Sequence, residues 1–320
     1  EKISLFKFFA IFIIYIFLCI LVYSYNALFL NKMTKNKLKQ NKIKSIENYI
    51  ENYLNLNSVL KSLGIKKNDK IIISSRLMLI ISNVYSNNLH LRININLIAD
   101  VIYKYIIETI LEKIGNKGTL LIPTYNWDFC KGKVFDYYKT PSSAGDLGNF
   151  ALKYRNFKRT LNPIYSFAVI GKDKNLLCKM AHESCFGNNS PFTYLIKNNG
   201  KNLFIGFEDY REGFNFPYLA EEKIGVDHRY LKYFFGRYKK GESIKKFKVK
   251  MYVRKIDDNK FTHVRKEFKN FLIKKKTFKE IKQKNIFFSI MKLKKVFDYM
   301  INDLKNKKKF IVTKKNNVQK

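Results

Sequence analysis

The chain has 320 residues, enough for a sizeable hydrophobic core in one large domain or two modest ones. Hydrophobic residues make up 46% and aromatics 16%, which excludes a chain disordered throughout. Sixty-two Lys and Arg stand against 25 Asp and Glu, a formal charge of +37. A charge of this size fits nucleic acid, anionic membrane or polyanionic substrates. Only nine of the basic residues are arginine, however. Nucleic-acid readers favour arginine's planar fork, and no nucleic-acid-binding motif is present, so no nucleic-acid partner is expected. Abundant Lys, Asn and Ile also follow from AT-rich codon usage alone.

In chain order, residues 8–30, "FFAIFIIYIFLCILVYSYNALFL", carry no charge. As a helix they would extend about 35 Å, the thickness of a bilayer's hydrocarbon core. Lys32, Lys35, Lys37, Lys39, Lys42 and Lys44 follow, so a span here would leave the rest of the chain on the cytoplasmic side, anchored to the inner face of the cell membrane. The competing expectation is that residues 1–32 are an extension with no part in function, since Met33 opens a plausible shorter chain.

Apolar residues recur at helical spacing from Ile43 to Leu63, before Gly64. "DKIIISS" then predicts a strand over 70–73 ending in Ser74 and Ser75. A long helix is predicted over 93–114, and "GTLLIPT" predicts a buried strand at 119–122 halted by Pro123. Further strands are predicted at 166–171 and 202–207. Between them lies a helix with Ser190 as N-cap and Pro191 at its first position. "KKFKVKMYVRK" alternates, with Phe247, Val249, Met251 and Val253 facing inward. Helices at 263–274 and 286–305 precede a lysine-rich tail, 311–320, read as a frayed, solvated end. The alternation of strands and helices predicts an α/β fold, with a mostly buried central sheet flanked by helices and an optional N-terminal transmembrane helix. With no linker or repeat, 33–310 reads as one domain.

Four cysteines (Cys19, Cys130, Cys178, Cys185) and four histidines (His90, His182, His228, His263) show no metal-ligand spacing, so no metal is expected. The stretch "GFNFPYLAEEKIGVDHRY" places Tyr218, Glu221 and Glu222 on one short helix that starts near Pro217 and ends at Gly225, with His228 just beyond.

Several blocks, taken in order, resemble the aminoglycoside 3-N-acetyltransferase family. They are "LGIKKNDKIIISSRLM", "GTLLIPTYNWDF", "TPSSAGDLGNFALK", "RTLNPIYSFAVIG", "FGNNSPFTYLIKNNGKNLFIGF" and "NFPYLAEEKIGVDHRY", together spanning about 63–235. The resemblance implies an acetyl-CoA-dependent N-acetyltransferase of the antibiotic and amino-sugar type, with a small-molecule amine as acceptor. That acceptor is either an aminoglycoside or a nucleotide-linked amino sugar of surface glycans. Such chemistry needs a base to free the amine's lone pair and hydrogen-bond donors aimed at the carbonyl oxygen.

By the same resemblance, Ser74 and Ser75 lie beside the pantetheine arm, and Ser142 and Gly145 belong to the cofactor-binding "TPSxxG" block. Asp128 and Asn162 are candidates for substrate contacts. The family's catalytic histidine stands three residues before the glutamate of the last block, a place held here by Tyr218. Glu221 is then the leading candidate base, with Tyr218 as a hydrogen-bond donor and Glu222 and His228 as further candidates. The alternative is a catalytically impaired relative that binds CoA or sugar.

Overall fold

The computed structural model describes residue 32 and residues 36–180, 183–256, 260–262, 264–306 and 310–314. The predicted span 8–30 lies outside them. Among the described residues no helix is long and apolar enough to cross a membrane.

The chain opens with α1 (36–54), α2 (Leu56–Ser62), β1 (Lys70–Ser75), α3 (Met78–Ser86) and α4 (Ile95–Ile114). Next come β2 (Thr119–Pro123), β3 (Phe135–Asp136), α5 (Asp146–Ala151), β4 (Lys158–Arg159), β5 (Phe167–Gly171), α6 (Lys174–Lys179), α7 (Pro191–Lys197) and β6 (Lys201–Ile205). The last part holds α8 (Phe216–Ile224), β7 (Arg229–Lys240), β8 (Ser243–Arg254), β9 (Lys260–Thr262), α9 (Lys266–Lys274), β10 (Phe278–Gln283), β11 (Ile286–Lys292), α10 (Leu293–Lys305) and β12 (Val312–Lys314).

Seven strands form one mixed sheet in the order β10-β11-β6-β1-β2-β5-β4. β6, β1 and β2 are parallel at its centre, and the outer strands run antiparallel. Side chains alternate between the faces. Ile71 and Ile73 of β1, Leu120 and Ile122 of β2, and Leu203 and Ile205 of β6 join one core with Ile46, Ile50, Leu60, Val84 and Ile98 from the first four helices. Ile72, Leu121 and Phe204 point the other way, toward Phe192 of α7, Phe216 and Leu219 of α8, and Val296 and Met300 of α10. Covered on both sides, the central strands are continuous apolar runs, as their sequence predicts.

The predicted helix caps appear as expected. Ser190 accepts from the Thr193 N–H at 3.2 Å with Pro191 opening α7, and α8 ends at Gly225. Three expectations are corrected and one is extended. The helix predicted over 43–63 is two helices, broken at Asn55, whose φ is 40°. The helix predicted at 286–305 begins only at Leu293. Its first half is β11, where Phe288 and Ile290 pair with Ile205 and Leu203, and long-range pairing overrides the local helical spacing. The alternating strand predicted at 247–253 is present within β8, and it is one arm of a hairpin, β7–β8, that joins β3 in a second sheet. The basic tail is ordered in part, since Val312–Lys314 pairs antiparallel with Lys260–Thr262.

Candidate active site

In sheets with parallel strands, ligands settle beyond the carboxyl ends of the strands. Here β1 and β2 end side by side, and a cavity of about 170 Å3 lies over them. Its lining includes Ser74 and Ser75 from β1, Pro123 from β2, Trp127, Gly148 from α5, and Glu212, which is ion-paired with Arg76.

The two serines differ in use. The Ser74 hydroxyl donates to the Gly213 carbonyl at 2.8 Å and accepts from the Asn202 amide at 3.1 Å, so it ties β1 to β6 and to the turn before α8. Ser75 is half-buried in the cavity wall. Ser142 builds the facing loop. Its hydroxyl accepts from the Ala144 N–H at 3.0 Å, and its backbone exchanges hydrogen bonds with the Asn149 side chain at 2.7 and 3.2 Å. Gly145 begins α5 with a φ of 125° and open space around it, a requirement of backbone shape. The close approach belongs to Gly148, which the sequence reading did not single out. A Cβ there would lie 2.4 Å from the Pro123 carbonyl oxygen and 3.0 Å from the Ser142 hydroxyl. Its signal was the second glycine of "SSAGDLG", three residues past the first.

Behind Trp127 stands an aromatic wall. Trp127 meets Tyr165 edge-on at 6.4 Å between ring centroids, Tyr165 packs on Phe186 at 4.9 Å, and Phe186 lies 6.1 Å from Tyr218 on α8. Burial pushes the Tyr165 and Tyr218 phenols up, with Arg229 opposing the rise in both, so both stay protonated near neutral pH. The Arg229 guanidinium sits 4.7 Å over the Tyr218 ring, a cation–π contact.

Glu221 lies on the buried side of α8, 0% exposed. One carboxylate oxygen is 3.1 Å from Nε2 of the buried His228, and the other is 2.6 Å from Nε of Arg229. Arg229 also donates to the Tyr252 carbonyl at 3.1 Å within the hairpin, so its pair with Glu221 fixes α8 to the hairpin. Glu222 is half-buried beside Ser184 and Lys250, and burial raises its carboxyl above the usual range.

Two further candidates lie apart from the cavity. Asp128 sits in a 3-10 turn after Trp127, paired with Lys133 at 3.2 Å and Lys131 at 3.7 Å. Asn162 is buried, and its side-chain oxygen accepts from the Ile164 and Tyr165 N–H groups at 2.9 and 2.8 Å, which shapes the turn at Pro163. The fold thus places Ser74 and Ser75 in the cavity wall, Ser142 behind the lining residues Ala144 and Gly148, and Tyr218, Glu221, Glu222 and His228 on or beside α8. Among the described residues no group of three or more His, Cys, Asp or Glu could hold a metal ion.

A cavity over parallel strand ends, with a serine pair closing β1, and a helix α8 bearing "YLAE" give an α/β fold a candidate ligand site. The profile of aminoglycoside 3-N-acetyltransferase matches residues 100–305, so the chain belongs to that family, whose members are N-acetyltransferases. Among solved structures, aminoglycoside acetyltransferase AAC(3)-Xa is similar at a TM-score of 0.61 and 14% identity, covering 81% of this chain and 96% of that one. AAC-IIIb, solved as a binary complex with CoASH, gives 0.62 at 13% identity, covering 79% and 95%. Sisomicin-bound AAC-VIa gives 0.61 at 14%, covering 82% and 98%. At these identities the structural likeness speaks for the fold. No curated protein sequence matches the chain.

Proposed function

We propose that the chain transfers acetyl from acetyl-CoA to an amine of an aminoglycoside or related amino sugar, with the cavity over β1 and β2 receiving the reacting end of the co-substrate. The cavity itself carries this reading. Its lining includes Ile73, Ile122, Tyr125, Trp127, Leu147 and Phe207, contains no Lys or Arg, and has one acid, Glu212, which is paired with Arg76. That suits an uncharged pantetheine arm, with the phosphates lying outside. The CoASH bound by AAC-IIIb and the sisomicin bound by AAC-VIa support the same pair of substrates. Acetyl-CoA, when bound, supplies the activated acetyl thioester.

The chain's own groups then divide the work. Ser75 offers a hydroxyl in the cavity wall, and Trp127 closes the side toward α8. Tyr218, kept protonated by burial, is a hydrogen-bond donor. Glu221 has both oxygens engaged, so its part is to hold Arg229 and His228 in place; it would become a base only by losing the Arg229 pair. With no histidine at the Tyr218 position, the acceptor enters as its neutral amine fraction, and turnover climbs with pH through the amine's own titration.

The test is release of free CoA thiol from acetyl-CoA by the full chain with sisomicin or with a nucleotide-linked amino sugar. Thiol release with the aminoglycoside is expected, reduced by Ser75→Ala. CoA binding without release for any amine would replace this reading with the impaired, binding-only one, which the tyrosine at the histidine's place favours.

A further inference from the structure

The β7–β8 hairpin projects two twelve-residue strands, each with five Lys or Arg and no acid. Residues directly opposite on an antiparallel pair share a face. Phe234 and Val249 are opposite, and Val249 is fully buried, so this face lies on the core. Its neighbours Phe247 and Tyr238 contact Phe129 and Phe135 there. The other face holds the pairs Tyr233 with Lys250, Phe235 with Lys248, and Arg237 with Lys246. Phe235 is 67% exposed and Tyr233 45%. The Lys248 ammonium stands 4.7 Å over the Tyr233 ring, and a groove of about 370 Å3 runs past Phe235, Arg237, Lys246 and Lys248.

We propose that this outward face binds single-stranded nucleic acid. The occupant follows from the arrangement. Two aromatic rings two residues apart on one strand are spaced about 7 Å along it, and each is flanked by cations from the opposite strand. Bases stack on such rings without sequence preference, and the flanking lysines meet the phosphates. The absence of acids on both strands complements a polyanion. An anionic bilayer fits less well. The hairpin tip, Lys240, Gly241, Glu242 and Ser243, is polar, the exposed Ile244 beside it is a single apolar side chain, and the rings lie mid-strand between charges. Lysine richness as such does not point to nucleic acid; the placement of aromatics among the lysines does.

The experiment measures fluorescence anisotropy of a labelled oligouridylate of about twenty nucleotides with the full chain at about 0.1 M salt. Wild type binds, and Tyr233→Ser/Phe235→Ser, which keeps the net charge, weakens binding by about tenfold or more. Lys246→Glu/Lys248→Glu weakens it further and flattens its salt dependence, whereas the same charge change at exposed Lys66 and Lys67 does so far less. Circular dichroism melts confirm that each variant is folded. Three results overturn the proposal: equal binding by wild type and the aromatic variant, equal loss from the Lys66 and Lys67 changes, or capture of the hairpin face by phosphatidylglycerol vesicles with no competition from the oligonucleotide.

Discussion

Glu221 shows how one side chain is both legible and misleading in a sequence. Its place on α8 beside Tyr218 follows from helical spacing. Its burial does not, because the partner that neutralises it, Arg229, begins the next strand. Removing one member of a buried pair leaves the other charge without compensation. Glu221→Gln should therefore cost about 3–5 kcal/mol of stability, read as a lowered denaturation midpoint. A variant with full stability but no turnover would instead restore Glu221 as the base. Tyr218→His should raise the acetyl-transfer rate by about a hundredfold or more, the usual worth of a positioned general base. Glu222 gives a stability prediction. Its folded carboxyl is raised above its unfolded value, so the native state holds the extra proton. Stability then falls as pH rises from the unfolded carboxyl range through the raised folded one. Glu222→Gln should remove that slope in melts followed across pH.

At the scale of elements, the strands of the parallel centre were legible because both their faces are apolar, and α7 because its cap and proline are local signals. β7 was not legible. "RYLKYFFGRYKK" lacks clean alternation because one face contacts Phe129 and Phe135 while the other carries exposed rings. β11 was misread because Phe287 and Phe288 satisfy either period, and only β6 decides between them. The loop before α5 was read as a cofactor block through Ser142 and Gly145, whereas the residues of this stretch that line the cavity are Ala144, Leu147 and Gly148. Gly148→Ala would drive a methyl into the Pro123 carbonyl and the Ser142 hydroxyl, so α5 must move off the end of β2. The expected result is a loss of about 1–3 kcal/mol in thermal stability together with a raised KM for acetyl-CoA, because the displaced atoms line the cavity. An unchanged KM would separate α5 from co-substrate binding.

At the scale of the molecule, composition gave the charge but not its consequence for the acceptor. A chain at +37 surrounds itself with a positive potential, and the cavity lining offers one acid, Glu212, already paired with Arg76. A polycationic aminoglycoside must approach against that field, whereas a nucleotide-linked amino sugar is drawn in by it. Raising ionic strength from about 0.01 M to about 0.1 M shortens the Debye length from about 30 Å to about 10 Å, which removes most of the long-range part in either case. The sign of the change therefore reports the field that each acceptor meets on its approach. For an aminoglycoside, kcat/KM should rise several-fold across this range, because repulsion is screened. For an anionic nucleotide sugar it should fall by a similar factor, because steering is lost. Acetyl-CoA is an anion in both assays, so its concentration must be saturating for the acceptor's response to be read alone. A kcat/KM that falls with salt for sisomicin would mean that an acidic surface near the cavity outweighs the whole-molecule charge for this acceptor.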